Sequence, residues 1–374
     1  MIRVVALALV LLLAACSSPE AVAPTAVPPP RVAVAPTPVR GVQGGRPAAA
    51  LSPQVVQPRS ITIGVPAGMA LAPFLVAQER GYFKQETLQV QVVTFNNDAE
   101  VVSALASGQI DAALAGPSAT LLTAVASGTN IKIVASDGTI KPHRNLGSIV
   151  VRKDLAPASG AFDLKTLTPP IRAAASGEGT LGHAVVLMAA KDAGFKATDV
   201  TMSYMAPADM SAALQSKQVD LASSVEPFVT LAVQQGSAAR WHEMNDDFPD
   251  LPYSTVLFGP NFTDKDPDAG LRFLRAYLAG TRDFEDAFAR QHNRKTVVDM
   301  LVDPMNTPLA LLDAIQAGGG TPYFEPNGAV WIDPLQSVVD LWVETGLVQP
   351  WFDINRLVDP APARQAVSQS GEYH

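Results

Sequence analysis

Cysteine is almost missing from this chain: there is one, Cys16, in 374 residues. A lone thiol makes no internal disulfide, so the fold must hold by burial. Histidine is scarce as well, and His143, His183, His242, His292 and His374 fall at no spacing that suits a metal cluster. Lys and Arg number 27 against 35 Asp and Glu, a formal net charge of −8 with no long basic run, which argues against a nucleic-acid binder. Long apolar runs are lacking after the first, Val4 to Leu13, which is short of the roughly 20 residues that span a bilayer. Neither the 26 glycines nor the single cysteine fits collagen or a disulfide scaffold. G-x-S-x-G, H-E-x-x-H and P-loop motifs are absent, and nothing in the sequence pairs two carboxylates for acid/base work. No catalytic residue, cofactor or metal is therefore expected, and the chain does not read as an enzyme.

What is present begins with an export signal: one positive charge at Arg3, the apolar run, then small residues up to Cys16. Leu13-Ala14-Ala15-Cys16 resembles the bacterial lipoprotein box. That resemblance implies cleavage before Cys16 and lipidation of its sulfur, which places the protein on the cell membrane, lipid-anchored and facing the extracytoplasmic side. Residues 17–58 hold ten of the 31 prolines, with only Glu20, Arg31, Arg40 and Arg46 charged. Such a stretch builds no core and stays extended, as a stalk does.

From Ser60 onward, apolar runs of strand length alternate with amphipathic helical stretches. Strands are expected at 61–65, 90–95, 110–116 and 131–136, and helices at 70–79, 99–107 and 118–127. The same order recurs about 110 residues later, with strands at 171–176, 200–205 and 219–224 and helices at 181–193, 208–216 and 227–235. At an offset of 109, Ser107-Gly108-Gln109-Ile110-Asp111 lies on Ser216-Lys217-Gln218-Val219-Asp220. Two copies of one α/β unit imply two lobes, each a mostly parallel sheet flanked by helices, whose strand ends face each other across a cleft. Asp111 and Asp220 hold equivalent positions in the two copies and read as structural. Further helices are expected at 268–290 and 333–344, packed on the first lobe.

Ala77-Gln78-Glu79-Arg80-Gly81-Tyr82-Phe83 before Leu88-Gln89-Val90, the Leu105 to Asp111 step, Val150 to Asp154, Val219-Asp220 followed by Glu226-Pro227, and Phe273-Leu274-Arg275-Ala276 occur in this order. In that order they resemble the solute-binding proteins of ABC importers. The branch is the one of alkanesulfonate, taurine, nitrate and bicarbonate binders, and of thiamine-precursor and riboflavin binders. The resemblance covers about residues 60–360. It implies a two-lobed type II periplasmic-binding fold that closes on one small ligand by hinge motion, and a partner permease with a cytoplasmic ATPase. A monomer fits a protein that must close and dock. The expected organisation is a signal peptide at 1–15 and a lipidated Cys with stalk at 16–58. Lobe one follows at 59–140, lobe two at 141–238, the completion of lobe one with C-terminal helices at 239–360, and a tail at 361–374.

The facing strand ends supply the candidate ligand-binding residues. In the first lobe these are Gly68, Met69, Asn96, Asn97, Gly116, Pro117 and Ser118; in the second, Gly177, Glu178, Thr180, Tyr204 and Glu226. Tyr253 joins them if its loop lines the cleft, and is otherwise a surface turn. Asp98 and Ser118 read at least as well as helix caps, and Met69, Phe95 and Phe228 as core. Gly177 to Gly182 spells G-x-G-x-x-G between a strand and a helix. No acidic residue stands at the tip of the next strand to take a ribose, so the motif reads as a glycine turn at a ligand-facing helix start.

Glu178 in that turn would repel an anion, and no Lys or Arg flanks the main first-lobe loops. No Trp or His lies between Ile61 and Phe95, where thiamine-precursor binders carry them. A flat, uncharged heterocycle remains, with riboflavin the expected ligand. An alkanesulfonate, taurine, nitrate or thiamine-precursor ligand is the alternative. A structural surface lipoprotein with no ligand is the reading outside transport.

Overall fold

The computed structural model describes residues 57–144, 146–157, 162–244, 249–350 and 352–374. The expected signal peptide, lipidation site Cys16 and nearly all of the stalk lie outside the described residues. The first sheet is built from β1 (Arg59–Pro66), β2 (Leu88–Phe95), β3 (Ala112–Ala115), β4 (Lys132–Ser136) and a late strand, Thr255–Phe258. Short connections here are helices: α1 (Ala72–Glu79), α2 (Tyr82–Gln85), α3 (Asp98–Ala106) and α4 (Ala119–Ala126). After the two-residue β5 (Gly138–Thr139), the chain crosses to the second sheet. That sheet contains β6 (Gly147–Arg152), β7 (Ile171–Ala175), β8 (Val200–Tyr204), β9 (Leu221–Val225) and β10 (Ala238–Glu243), connected by α5 (Leu181–Asp192), α6 (Pro207–Gln215) and α7 (Phe228–Gln234). It then returns as β11 (Thr255–Phe258).

The two sheets share one topology. Their orders are β2-β1-β3-β11-β4 and, read from the same side, β8-β7-β9-β6-β10. In each, the strand-helix units give the parallel pairs, β1 with β2 and β3, and β7 with β8 and β9. Strands arriving from the other lobe run antiparallel: β11 between β3 and β4, and β6 between β9 and β10. The repeated aspartates do the same work in both copies. Asp111 Oδ2 accepts from Thr62 N–H at 2.7 Å, and Asp220 Oδ2 from Arg172 N–H at 3.0 Å. Each carboxylate thus ties the start of the middle strand of its sheet, β3 or β9, to the parallel neighbour, β1 or β7. Both extend that tie with a side chain, Asn261 Nδ2 at 3.0 Å on Asp111 and Arg172 Nη2 at 2.6 Å on Asp220.

Two expected boundaries shift. The second sheet continues past residue 238 through β10, because its apolar and polar residues pair antiparallel with β6. Residues 361–374 are more than a tail: Ala361–Ser370 is helical, with Ala363 and Ala366 buried in the core. The long helix α8 (Pro267–Phe288) covers the first sheet, followed by α9 (Arg294–Val302) and α10 (Leu309–Ala317). Phe273 on α8 is fully buried, stacking on Phe83 at 5.5 Å and on Tyr277 at 6.1 Å between ring centroids. Helix α11 (Ile332–Glu344), expected on the first lobe, instead packs against α5 of the second. Its buried stripe of Leu335, Val338, Val339 and Trp342 shares a core with Val185 and Ala189. That stripe is legible as amphipathic, but its spacing does not say which lobe it meets. Helix α12 (Ala361–Ser370) packs on α8. No helix among the described residues is long and apolar enough to cross a membrane.

Candidate ligand-binding cleft

The cleft forms where the strand ends of the two sheets meet. From the first lobe it is lined by Pro66 to Ala70 after β1, Asn96 to Asp98 after β2, and Gly116 after β3. Tyr253 and Ser254, just before β11, complete that side. The second lobe contributes Ser176 after β7, Pro207 at the start of α6, and Val225 at the end of β9, with Leu146 from the crossing segment. This is where ligands bind in open α/β sheets, outside the carboxyl ends of the strands.

Several residues expected in the cleft from the strand-end pattern are not in it, and the geometry gives the reason in each case. Glu226 is fully buried, its carboxylate paired with the Arg240 guanidinium and accepting from Thr230 N–H at 3.1 Å. Its side chain is engaged within the protein, and its neighbour Val225 faces the cleft instead. Tyr204 is 44% exposed and lies edge-on to the His183 ring at 5.7 Å, in an open outer groove shared with Glu178 and Glu344. Glu178 therefore stands on the outer rim, not where a bound solute would sit. His183 accepts from Gly179 N–H at 3.1 Å through Nδ1, and burial lowers its pKa, opposed by Glu178.

Gly177, Gly179, Thr180 and Ser118 hold the lobes together rather than line the cleft. Ala119 N–H donates to Gly179 O at 2.9 Å across the lobes, and Ser118 and Thr180 form an isolated antiparallel bridge. A Cβ added at Gly179 would fall 2.6 Å from the Ala119 Cβ, and the φ of +65° suits glycine. The G-x-G-x-x-G motif is thus a close-approach site, with Thr180 capping α5 by accepting from His183 N–H. Ser118 caps α4, its hydroxyl accepting from Leu121 N–H at 3.3 Å, and Pro117 precedes it outside the lining. Ser118→Ala should lower stability by about 1 kcal/mol, read from the urea midpoint.

The cap of α3, expected at Asp98, is Asn97, which accepts from Glu100 N–H at 3.0 Å. Asp98 begins the helix and turns its carboxylate inward, where Oδ1 accepts from Gly116 N–H at 2.7 Å. Burial pushes its pKa up to about 6, against that backbone bond, and no cation acts on it. Gly116 is required there, since an added Cβ would lie 2.9 Å from Tyr253 O. Burial, with Asp98 alongside, raises the Tyr253 hydroxyl well above its usual range, so Tyr253 is a lining residue and not a surface turn. Asn96 is held by Glu100, which accepts from its backbone N–H at 3.1 Å and from its side-chain amide at 3.2 Å. Gly68 approaches the second lobe, where a Cβ would stand 3.5 Å from Val225.

Ser176 and Val225 could have been found by carrying the strand-end rule to the last residue of each strand. Leu146 and Ser254 had no such signal, because they adjoin β6 and β11, which arrive from the opposite lobe and break the βα rhythm. Met69, at 1% exposure, is both core and cleft wall. In this conformation the cleft holds about 50 Å³, room for a few water-sized groups, and it lends no support to riboflavin as the solute.

Relatives bear the same architecture. A nitrate-binding protein, NrtA of Synechocystis, superposes with a TM-score of 0.70 at 17% identity, over 84% of this chain and 89% of its own. The ligand-binding component of an ABC-type import system from Staphylococcus aureus gives 0.67 at 20%, over 82% and 99%. At such identities the likeness establishes the two-lobed periplasmic-binding fold. In sequence, an Escherichia coli protein named for binding aliphatic sulfonates is 24% identical over 220 residues, 58% of this chain and 64% of the relative, so the match spans just under two thirds of that protein. The model of the NMT1-like family matches residues 54–302, and the chain belongs to that family.

Proposed function

We propose that this chain is the solute-binding component of an ABC importer: it captures a small polar solute between its lobes and delivers it to a permease. The observation that carries the reading is the cleft itself, lined from both sheets at their strand ends and closed by the Ala119 to Gly179 hydrogen bond. The chain crosses between lobes at 140–146 and again between β10 and β11, which permits hinge closure around a bound solute. The energy for transport comes from the permease's ATPase, and the binding protein hydrolyses nothing. Lipid on Cys16 would tether it to the extracytoplasmic face, and a monomer suffices for docking.

The test is binding with closure. Full-length chain, freed of solute, is titrated with ethanesulfonate, taurine, nitrate, an aminopyrimidine and small amines while the unfolding midpoint and the radius of gyration are followed. A solute at about 100 times its dissociation constant adds about 2.7 kcal/mol to stability. One saturating solute that also shrinks the radius of gyration is the expected result. Stabilisation by none, with no solute retained through purification, would favour a structural surface lipoprotein.

A further inference from the structure

Three observations converge on the cleft. Among the described residues that line it, Asp98 is the only charged one, and none of them is a lysine or arginine. One carboxylate oxygen is occupied by Gly116 N–H, and among the described residues no side chain bonds the carboxylate. Ser254, 3% exposed and also lining the cleft, has a hydroxyl with no partner at hydrogen-bonding geometry, although it lies near enough to Asp137 to favour the charge of that carboxylate. A half-buried carboxylate with no counter-charge and a buried hydroxyl without a well-formed bond leave two polar groups at the cleft wall that a solute can satisfy. The walls opposite are apolar: Met69, Leu146, Val225 and Pro207.

From this we infer that the solute is a small organic cation, an alkylammonium or amidinium group whose N–H donors meet Asp98 and Ser254 while its carbon end rests against Met69, Leu146 and Val225. The inference rests on the solute-binding reading above and names its ligand class. An anion would face an uncompensated carboxylate, with only neutral hydroxyl, amide and backbone donors among the lining residues to offset the repulsion. A cation neutralises that charge and gives the Ser254 hydroxyl a partner in one step. In this conformation the cleft holds about 50 Å³, which matches a small solute.

Isothermal titration of the full chain with ethylammonium, acetamidinium, neutral acetamide, ethanesulfonate and nitrate tests this. The cations should bind and the anions should not. Asp98→Asn, which keeps an oxygen for Gly116 N–H, should weaken cation binding about ten- to hundredfold while the chain still unfolds in one cooperative transition. Ser254→Ala should weaken it by a smaller factor. Tight anion binding that Asp98→Asn leaves alone or strengthens would overturn the ligand class and leave the transport role standing. Cation binding indifferent to Asp98→Asn would overturn the assignment of the contact. Binding of no probe while another solute co-purifies refutes the cation alone; binding of no probe and no co-purifying solute refutes the solute-binding reading with it.

Discussion

Gly179→Val should lower solute affinity about a hundredfold while leaving each lobe folded. The backbone at Gly179 has φ +65°, and its carbonyl accepts the Ala119 N–H at 2.9 Å across the lobe boundary. A side chain would start 2.6 Å from the Ala119 Cβ, inside any real contact distance, so the lobes must stay apart or the turn must shift. Either outcome removes the closed state from most of the population, and apparent affinity falls in proportion to the fraction still able to close. A hundredfold loss needs about 2.7 kcal/mol against closure, which overpacking against Ala119 and a branched side chain at positive φ together supply. Gly194→Val is the control. It has φ +87° on the same lobe with nothing within 4 Å, so it carries the backbone strain without the interlobe clash. It should lower stability and leave the dissociation constant where it was. Equal affinity for Gly179→Val and the unmodified chain would show that the Gly179 contact is no part of closure.

The first-lobe side of this arrangement was legible in the residues. The apolar runs put strand ends at Val65, Phe95 and Gly116; the structure ends those strands at Pro66, Phe95 and Ala115 and puts Gly68, Asn96, Asn97 and Gly116 in the cleft. The internal repeat pointed to the second lobe, and Asp111 and Asp220 tie their strands in the same way. The second-lobe site was less legible. Equivalent strand ends do not mean equivalent side-chain use: Glu226 is taken up by Arg240, and Tyr204 on the edge strand β8 turns to the outer groove. The glycine motif at 177–182 signals close backbone approach, and the sequence cannot say whether a ligand or another loop does the approaching. Here it is Ala119. The antiparallel strands β6 and β11 were invisible as partners because their pairing is set by crossings some 110 residues apart in sequence, where local periodicity carries no information. Charge placement had the right sign and the wrong residue: a carboxylate does face the cleft, but it is Asp98, freed from capping by Asn97.

Stability should fall as pH rises toward 8, and Asp137→Asn should flatten much of that fall. Asp137 follows β4 and is fully buried, with the Tyr277 hydroxyl from α8 donating to one oxygen and the Ser254 hydroxyl near the carboxylate but outside good hydrogen-bond geometry. Burial pushes its pKa from 3.8 to about 7, against the neighbouring hydroxyls of Ser254 and Tyr277 that hold it down. Between those values the folded chain binds a proton that the unfolded chain does not. The stabilisation from this group is therefore complete below about pH 4 and is lost as pH rises through 7, to a total on the order of 4 kcal/mol. Asp98, raised to about 6, acts in the same direction over a narrower window, and Glu285 and Glu325 are raised by burial as well. His183, lowered by burial, opposes them at acid pH, where it must lose its buried neutral form. Asparagine keeps an oxygen for the Tyr277 hydroxyl and never ionises. At pH 8 the variant should be more stable than the unmodified chain by about 2–4 kcal/mol, and near pH 4.5 the two should unfold at nearly the same urea concentration. Urea midpoints for both proteins across that range read the difference directly. Parallel midpoint curves would mean that Asp137 stays ionised when buried, and that the pH dependence belongs to Asp98, Glu285 and Glu325.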